Sequence, residues 1–390
     1  MTYKDLSGNW NYPNNLRTGA GRINELPQCC KELGISAPLL VTDSGLAHLP
    51  IVQKALQSCI DASLNCEIFS QIKTNPNGEN VMDGVAAYHA GNHDGVIAFG
   101  GGSGLDAAKA IALMVGQTRP LWDFEDVGDN YLRVIEEGIA PIIAVPTTAG
   151  TGSEVGRASV IVDEKAHVKR IIFHPKMLPT TVILDPELTF ALPAHITAAT
   201  GMDALSHNLE ALCSPFYHPL AQGIAVEGIR LVKEYLPLAV SDGNNIEART
   251  QMLVASTMGA TAFQKGLGAM HALAHPLGAL YDAHHGLLNA ILMPYVLKAN
   301  QAVISERIER VARYIGLGDS SFDGFLNWVL QMRKDLKIPH TLAEINIDEA
   351  QQTLVAVMAT EDPSAGGNPI TFTADQYQQI FLNAVRGTLS

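Results

Sequence analysis

The chain of 390 residues is short of cysteines, of basic residues and of long apolar runs. Its five cysteines are odd in number and show no C-x-x-C spacing, which argues against a disulfide framework and against a cysteine-bound zinc ion. The N-terminal MTYKDLSGNW has neither a basic start nor an apolar core, so it lacks the pattern of a signal peptide. Since the apolar runs are well short of a membrane span, we expect a soluble cytoplasmic protein without a membrane partner.

The scarcity of basic residues also limits the partners of this chain. The 26 lysines and arginines against 39 aspartates and glutamates leave a net charge of −13, which repels nucleic acid and anionic membranes. Hydrophobic residues, at 47%, are abundant, so the chain can bury a large interior and is not disordered. A chain of this length is too long for one ordinary core, and we expect two domains.

The first half of the sequence alternates β-rich and helical segments. Strands are predicted near 37–42, 65–70, 95–99, 140–145 and 181–185, with helices near 79–90 and 105–115 and another that follows Asp43 to about Ile60. Two further β-rich runs, 157–162 and 169–173, flank a charged turn and predict a hairpin. This alternation is typical of a parallel sheet with helices on both faces.

The second half of the sequence has only helical periodicity. Helices are predicted near 194–212, 218–239, 246–265, 284–299, 302–315 and 321–335, with two more after Ile347. We therefore predict an α/β N-terminal domain with a Rossmann-like parallel sheet at 1–187, and an all-helical C-terminal domain at 188–390.

Three glycines at 100–102, followed by Ser103, stand between a predicted buried strand and a predicted helix. Glycines let the backbone approach a ligand, and the free amides at a helix start attract phosphate. The spacing is not G-x-G-x-x-G, because position 105 is Leu, and no GK[ST] is present to make a P-loop. A phosphate-binding loop and a plain strand-to-helix turn both stay open.

Two other polar stretches favour ligand binding at this edge of the sheet. Asp43 ends a predicted strand. Its carboxylate would accept hydrogen bonds from both ribose hydroxyls of NAD and would repel a 2′-phosphate. Thr147, Thr148 and Thr151 follow another predicted strand in PTTAGTGSE, and such loops can line a pyrophosphate or nicotinamide site. Ordinary turns or caps would explain each stretch alone. Three polar loops after three strands together predict a ligand site.

A histidine-rich stretch, GAMHALAHPLGALYDAHHG at 268–286, carries four of the thirteen histidines. His271 and His275 are four residues apart, which places them on one face of a helix. Asp203 and His207 have the same spacing in a second apolar segment, where a carboxylate and an imidazole can bind one ion. A hydrogen-bonded Asp–His pair inside an apolar helix is the alternative. Together the segments predict a nitrogen and oxygen site for Fe(II), Zn(II), Mn or Co, without deciding which histidines bind.

Four motifs resemble those of the iron-dependent (group III) alcohol dehydrogenases in order and spacing. They are GGGSGLDAAK at 100–109, PTTAGTGSE at 146–154, GMDALSH at 201–207 and HALAHPLGALYDAHHG at 271–286. The resemblance covers nearly the full length of the chain. It implies an N-terminal dinucleotide-binding α/β domain, a C-terminal helical metal-binding domain, and a homodimer or larger homo-oligomer.

The resemblance also implies roles for individual residues. The metal ligands would be Asp203, His207, His271 and His285. His275 would lie near the nicotinamide and the substrate as the candidate proton relay, and His284 would only neighbour a ligand. The cofactor site would comprise Asp43 at the adenosine ribose, Gly101, Gly102 and Ser103 at the pyrophosphate, and Asp106, Thr147, Thr148, Thr151 and Lys169 along the remainder.

The implied activity is that of a metal-dependent, NAD-linked alcohol dehydrogenase and aldehyde reductase. The metal would polarise the substrate oxygen, and hydride would pass between a small alcohol or aldehyde and the nicotinamide. Asp43 favours NAD over NADP, and the GMDALSH and HALAHPLG motifs favour Fe(II) over Zn(II). A zinc enzyme similar to glycerol dehydrogenase, a hydroxyacid–oxoacid transhydrogenase and a metal site without redox chemistry stay open as alternatives. The sequence does not determine which alcohol or aldehyde is the substrate.

Overall fold

A computed structural model describes residues 14–166 and 168–389, and the chain divides into two compact units. The α/β unit comprises the described residues up to Thr148 together with Gly152–Ala191. The helical unit comprises Ala149–Thr151 and the described residues from Leu192 onward. The short segment Ala149–Thr151, taken from the threonine-rich motif, therefore belongs to the helical unit.

Six strands of the α/β unit form one sheet in which every neighbouring pair is parallel. They are β1 (Asn15–Thr18), β2 (Pro38–Val41), β3 (Glu67–Phe69), β4 (Gly95–Gly100), β5 (Ile142–Pro146) and β8 (Thr181–Leu184). The sequence does not predict β1, because this strand has only 4 residues and none of them is buried. Strands β6 (Ala158–Asp163) and β7 (Val168–Phe173) pair antiparallel and form the predicted hairpin.

The strand order of the parallel sheet is β1-β8-β5-β4-β2-β3. From β2 the chain moves outward to β3 and then returns to the other side of β2 to form β4. The order therefore reverses between β2 and β4, and in such sheets the loops diverge there and leave a crevice at the carboxyl ends of the strands. Asp43 follows β2 and the glycines at 100–102 follow β4. Two predicted ligand-binding stretches thus flank the reversal.

Helices cover both faces of the parallel sheet. Leu40, Ile97 and Ile143 belong to an apolar cluster with side chains from α1 (Leu26–Glu32) and α2 (Pro50–Asp61). The described members of that cluster include no side chain from α4 (Gly102–Met114), which contacts β2, β4 and β5 and packs against α3 (Gly78–Ala90). Alternate side chains of the strands therefore face two helix layers, as the sequence pattern predicts.

The helical unit surrounds one almost fully buried helix. Its long helices are α5 (Ala194–Cys213), α6 (Pro219–Ser241), α7 (Ile246–Ala262), α8 (Ala269–Tyr281), α9 (His285–Tyr314), α10 (Phe322–Asp335), α11 (Gln352–Glu361) and α12 (Ala374–Arg386). Every residue of α5 from Thr197 to Cys213 is buried, and this helix packs against α6, α7 and α9. A polar side chain on α5 must therefore find its partners inside the protein.

The prediction of two helices at 284–299 and 302–315 is wrong, because α9 runs unbroken for 30 residues. The polar Asn300 indicated a break between them. In the structure Asn300 is buried and exchanges side-chain hydrogen bonds of 3.0 and 2.9 Å with Asn368. Since a residue distant in sequence satisfies the amide, the helix continues through this position.

Helix α9 is long and apolar enough to cross a membrane, by length and composition alone. However, 67% of its apolar window is buried inside the structure, where it packs against α5, α8 and α10. The core helix of a soluble protein passes the same test, so α9 is weak evidence for a membrane span.

Candidate metal centre

Three helices of the helical unit bring four predicted metal ligands together. Asp203 and His207 lie one turn apart on α5, His271 lies in the first turn of α8, and His285 begins α9. The side-chain atoms that these residues can offer to an ion all lie within 4.8 Å of one another. Three of the four residues are buried and His285 is partly buried. The fold thus joins two segments that the spacing in the sequence treats separately.

Hydrogen bonds orient two of the imidazole rings. Nδ1 of His207 lies 3.1 Å from the carbonyl oxygen of Gly150, and Nδ1 of His271 lies 2.7 Å from Oε2 of Glu210. A carbonyl oxygen and an ionised carboxylate both accept hydrogen bonds. Nδ1 of His207, and Nδ1 of His271 whenever Glu210 is ionised, therefore carries the proton, and Nε2 presents its lone pair. A neutral imidazole with one available nitrogen is the form that binds a metal.

A further side chain of α9, Asn289, lies against the same ligand atoms. It is fully buried, and its Nδ2 donates to Oδ1 of Asp203 at 2.8 Å. The same nitrogen lies 3.1 Å from Nε2 of His271 and 3.2 Å from Nε2 of His285. Asn289 belongs to none of the predicted site residues, although its position four residues after His285 places it on the same face of α9.

Burial dominates the acid–base behaviour around the cluster. It raises the pKa of Glu210 to about 7, although the backbone N–H groups of Gly268 and Met270 act in the opposite direction. Burial also lowers the pKa of His271 well below its usual value, and the neighbouring His207 adds to this effect. His271 is therefore neutral near physiological pH, as metal binding requires.

The donor set fits a divalent transition metal. One carboxylate and three imidazoles, without a thiolate, suit Fe(II), Zn(II), Mn or Co. A Cβ atom on Gly286 would lie 2.7 Å from the carbonyl oxygen of Ala199, so the glycine lets the start of α9 approach α5. The ring of Phe263 lies edge-on to His207, with centroids 5.3 Å apart, and adds apolar surface beside the cluster.

The two remaining histidines of the stretch lie in different environments. The ring of His275 stacks on His285 with centroids 5.4 Å apart, and its Nδ1 lies 2.8 Å from Oδ2 of Asp362. Its Nδ1 therefore carries the proton, and Nε2 can accept one. His284 is outside the four-residue cluster, and its Nδ1 accepts a hydrogen bond from the backbone N–H of Leu287 at the start of α9.

The glycine segment of the α/β unit forms the turn from β4 into α4. Gly100 has a φ of +147°, a backbone angle that residues other than glycine rarely adopt. Gly101 is the N-cap of α4 and, having no side chain, leaves the first-turn N–H groups to another acceptor. A Cβ atom on Gly104 would lie 3.3 Å from the carbonyl oxygen of Phe99, so the helix begins close against the strand.

Two predicted cofactor residues lie beside this turn. A Cβ atom on Gly100 would be 3.7 Å from Oδ2 of Asp43, and one on Gly101 would be 3.3 Å from Cγ2 of Thr148. The neighbouring Thr147 is buried. The loops after β2, β4 and β5 therefore come together within the α/β unit.

The other predicted cofactor residues bond to protein groups. Ser103 donates its hydroxyl to the carbonyl oxygen of Thr74, and Nζ of Lys169 donates to Oδ1 of Asn75 at 3.0 Å. The carboxylate of Asp106 accepts from the backbone N–H of Val160 at 3.0 Å and from the hydroxyl of Ser153. Thr151 belongs to the helical unit. The roles of these residues toward a cofactor stay predictions.

Comparison with known proteins identifies the family of this chain. Residues 13–186 match the sequence profile of the iron-containing alcohol dehydrogenases, and residues 197–385 match that of the C-terminal part of the Fe-containing alcohol dehydrogenase family. The chain belongs to the iron-containing alcohol dehydrogenase family. The predicted family and the predicted enzyme class are therefore confirmed.

Individual members of the family are similar over almost their whole length. The chain is 36% identical to a 4-hydroxybutyrate dehydrogenase of Cupriavidus necator over 95% of this chain and 97% of that protein. It is 34% identical to an NAD-dependent methanol dehydrogenase of Bacillus methanolicus over 94% and 97% of the two chains. The crystal structure of a 1,3-propanediol oxidoreductase superposes with a TM-score of 0.92 at 34% identity, covering 97% of this chain and 100% of that one. The predicted fold class is thereby confirmed.

Proposed function

We propose that this protein is an iron-dependent, NAD-linked alcohol dehydrogenase that also reduces the corresponding aldehydes. The observation that carries the proposal is the convergence of Asp203, His207, His271 and His285 in a chain that matches both family profiles. We assign the metal to these four side chains. Zn(II) is the alternative metal, because the donor set accepts either ion.

A divalent metal held by these four side chains would act as a Lewis acid and would polarise the oxygen of the alcohol or aldehyde. The protein prepares for it by holding the rings of His207 and His271, through Gly150 and Glu210, with both Nε2 lone pairs presented to the ion. The ring of Phe263 packs edge-on against His207 and adds an apolar wall to one side of the cluster.

In the proposed reaction NAD would accept the hydride of the alcohol, and NADH would donate a hydride to the aldehyde. In our proposal the first turn of α4 binds the pyrophosphate through Gly101, Gly102 and Ser103, and Asp43 accepts the ribose hydroxyls. The strand reversal beside these residues and the NAD-dependent methanol dehydrogenase among the relatives support this assignment. We assign the rest of the cofactor site to Asp106, Thr147, Thr148, Thr151 and Lys169.

His275 is the proposed proton relay. Its Nδ1–H donates to Asp362, so Nε2 is the atom that accepts the proton of the substrate hydroxyl and passes it to solvent. An imidazole suits this role because it exchanges protons near neutral pH.

The proposed substrates are small primary alcohols or diols and the matching aldehydes. The relatives are named for 4-hydroxybutyrate, methanol and 1,3-propanediol, and each of these molecules has a terminal hydroxyl group. A common chemical group at the reacting end, with different remainders, supports the class and leaves the individual substrate to experiment.

We further propose that residues 1–187 bind the dinucleotide and that residues 188–390 bind the metal. We place the enzyme in the cytoplasm as a soluble homodimer or larger homo-oligomer, with neither nucleic acid nor membrane as a partner. The net charge of −13 supports the absence of nucleic acid and anionic membranes among its partners.

The experiment is a panel of alcohols with NAD and of aldehydes with NADH, run on metal-stripped protein after addition of Fe(II) or Zn(II). We expect turnover of free cofactor that depends on the added metal, with Fe(II) the more effective ion. No turnover with either metal contradicts the proposal. Oxidation of one substrate coupled to reduction of another, without release of NADH, would favour a transhydrogenase.

A further inference from the structure

We propose that Glu210 is a positioning residue for the metal centre, which sets the tautomer and orientation of His271 and ties α5 to the start of α8. This inference rests on the metal-binding role proposed above for Asp203, His207, His271 and His285. Glu210 lies on α5 seven residues after Asp203, so its side chain leaves the same face two turns further along.

The carboxylate of Glu210 accepts three hydrogen bonds from α8 and the residue that caps it. Oε2 accepts from the backbone N–H of Gly268 at 2.8 Å and from Nδ1–H of His271 at 2.7 Å. Oε1 accepts from the backbone N–H of Met270 at 2.7 Å. The side chain is 4% exposed, so these short bonds are made away from water, where hydrogen bonds to a carboxylate are strong.

The start of α8 depends on distant side chains for its caps. Its N-cap is Gly268, which has no side chain to accept the first N–H groups. Glu210 accepts two of them, and Oδ1 of Asn368 accepts the N–H of Ala269 at 3.2 Å. A Cβ atom on Gly268 would lie 3.0 Å from both Oε1 of Glu210 and Oδ1 of Asn368, so a side chain there would crowd both acceptors.

The contact with His271 has a chemical consequence that a helix cap alone does not have. With Nδ1–H donating to the carboxylate, the lone pair of His271 is on Nε2, which lies 4.0 Å from Oδ1 of Asp203 inside the cluster. An imidazole without this partner can carry its proton on Nε2 instead, and that tautomer has no lone pair on the nitrogen that faces the cluster. Carboxylate partners of this kind also raise the basicity of a histidine ligand.

Replacement of Glu210 by glutamine tests this role. Glu210→Gln keeps the size of the side chain but has one acceptor oxygen and a donating amide, so it cannot accept from all three N–H groups. We expect the affinity of the full-length, chelator-stripped protein for Co(II) or Fe(II) to fall by about 10- to 100-fold, measured by competition with a coloured chelator.

Asn368→Ala is the matched control for helix capping. It removes the other side-chain cap of α8, and the hydrogen bonds of Asn368 go to Ala269, Asn300 and Ile370 and not to the four ligands. We expect a lower melting temperature with little change in metal affinity. An equal loss of affinity in Asn368→Ala and Glu210→Gln would overturn the positioning role, because capping alone would then explain both. Unchanged affinity in Glu210→Gln would overturn it as well.

A measurement on the unaltered protein keeps the inference testable if Glu210→Gln does not fold. Nitrogen NMR of ¹⁵N-histidine-labelled, metal-free protein distinguishes the two tautomers, and the signal missing from His271→Ala assigns His271. We expect a proton on Nδ1 and none on Nε2, whereas a proton on Nε2 would overturn the inference. Protein that binds metal with this tautomer but does not turn over NAD supports the inference and contradicts the proposed function alone.

Discussion

The metal cluster of the helical unit and the glycine turn of the α/β unit are built in opposite ways. In the cluster, side chains from α5, α8 and α9 that could hold a metal ion converge, and other side chains orient them. In the glycine turn, the candidate binding groups are backbone amides, because Gly100 and Gly101 carry no side chains. A backbone site can be built by a few consecutive residues, whereas a side-chain cluster needs the whole helical core.

The largest expected effect is the loss of one proposed metal ligand from the cluster of the helical unit. We expect His207→Ala to lose its metal and to lower turnover by about 10³-fold or more, because the Lewis acid is lost. Metal analysis and steady-state kinetics check this. His284→Ala is the control, since it removes a histidine that caps α9 outside the cluster and should cost only about 1 kcal/mol of stability. Full metal content in His207→Ala would contradict its role as a ligand.

Removing the proposed relay separates proton transfer from metal binding. We expect His275→Ala to keep its metal and to lower turnover by about 10²-fold, with a changed pH–rate profile. The measurement is kcat against pH for the metal-loaded enzyme, with metal content determined in the same samples. A pH–rate profile identical to that of the unaltered enzyme would exclude the relay.

The next prediction concerns the α/β unit, where Asp43 lies beside the glycine turn and is expected to set the cofactor preference. We expect Asp43→Ser to reduce the preference for NAD over NADP, measured as the ratio of kcat/KM values, by about tenfold or more, corresponding to ~1.4 kcal/mol. The physical reason is the loss of a carboxylate that repels the 2′-phosphate. Asp61→Ser, at the exposed end of α2, should leave the ratio unchanged. If both variants kept the same ratio of kcat/KM values, Asp43 would not be part of the cofactor site.

The last prediction concerns the stability of the fold at the buried C-terminal end of α5. Nζ of Lys265 donates to the carbonyl oxygens of Ala211, Leu212 and Ser214, and burial, assisted by the charge of Arg307, lowers its pKa to about 7. The unfolded chain keeps this proton up to about pH 10.4, so unfolding takes up a proton between these values and raising the pH stabilises the fold.

We therefore expect the stability of the protein to rise from pH 7 to pH 9 relative to Lys265→Met, by at most about 1.4 kcal/mol per pH unit. Chemical denaturation of both proteins across this range measures the difference. Parallel stability curves for the two proteins would mean that the ammonium group keeps its proton in the fold.

Local patterns predict most of the elements and the two segments that carry the candidate ligands, whereas the four individual ligands follow from the resemblance to the family. The hairpin of β6 and β7 and helices such as α5 follow directly from short-range periodicity. Strand β1 escapes prediction because its 4 residues are not buried, and the break predicted at Asn300 is wrong because Asn368 pairs with that amide. In both cases the deciding partner is far away in the sequence.

The residues that support the cluster are harder to predict than its ligands. Asn289 and Asp362 have side chains that occur anywhere on a protein surface, and neither has a motif of its own. Their contacts with Asp203 and His275 exist only because α9 and the loop after α11 meet α5 and α8. The spacing of residues within one helix does not predict such contacts between distant elements.

The sequence by itself determined the alternation of elements, the glycine turn and the two pairs of ligand-type residues, because helical and strand periodicity act over a few residues. Only the tertiary structure decided that Asp203, His207, His271 and His285 share one cluster and that Glu210, Gly150 and Asn289 orient it. A buried polar atom takes whichever partner the packing of distant helices brings within hydrogen-bond reach, and that choice is not written in any single segment.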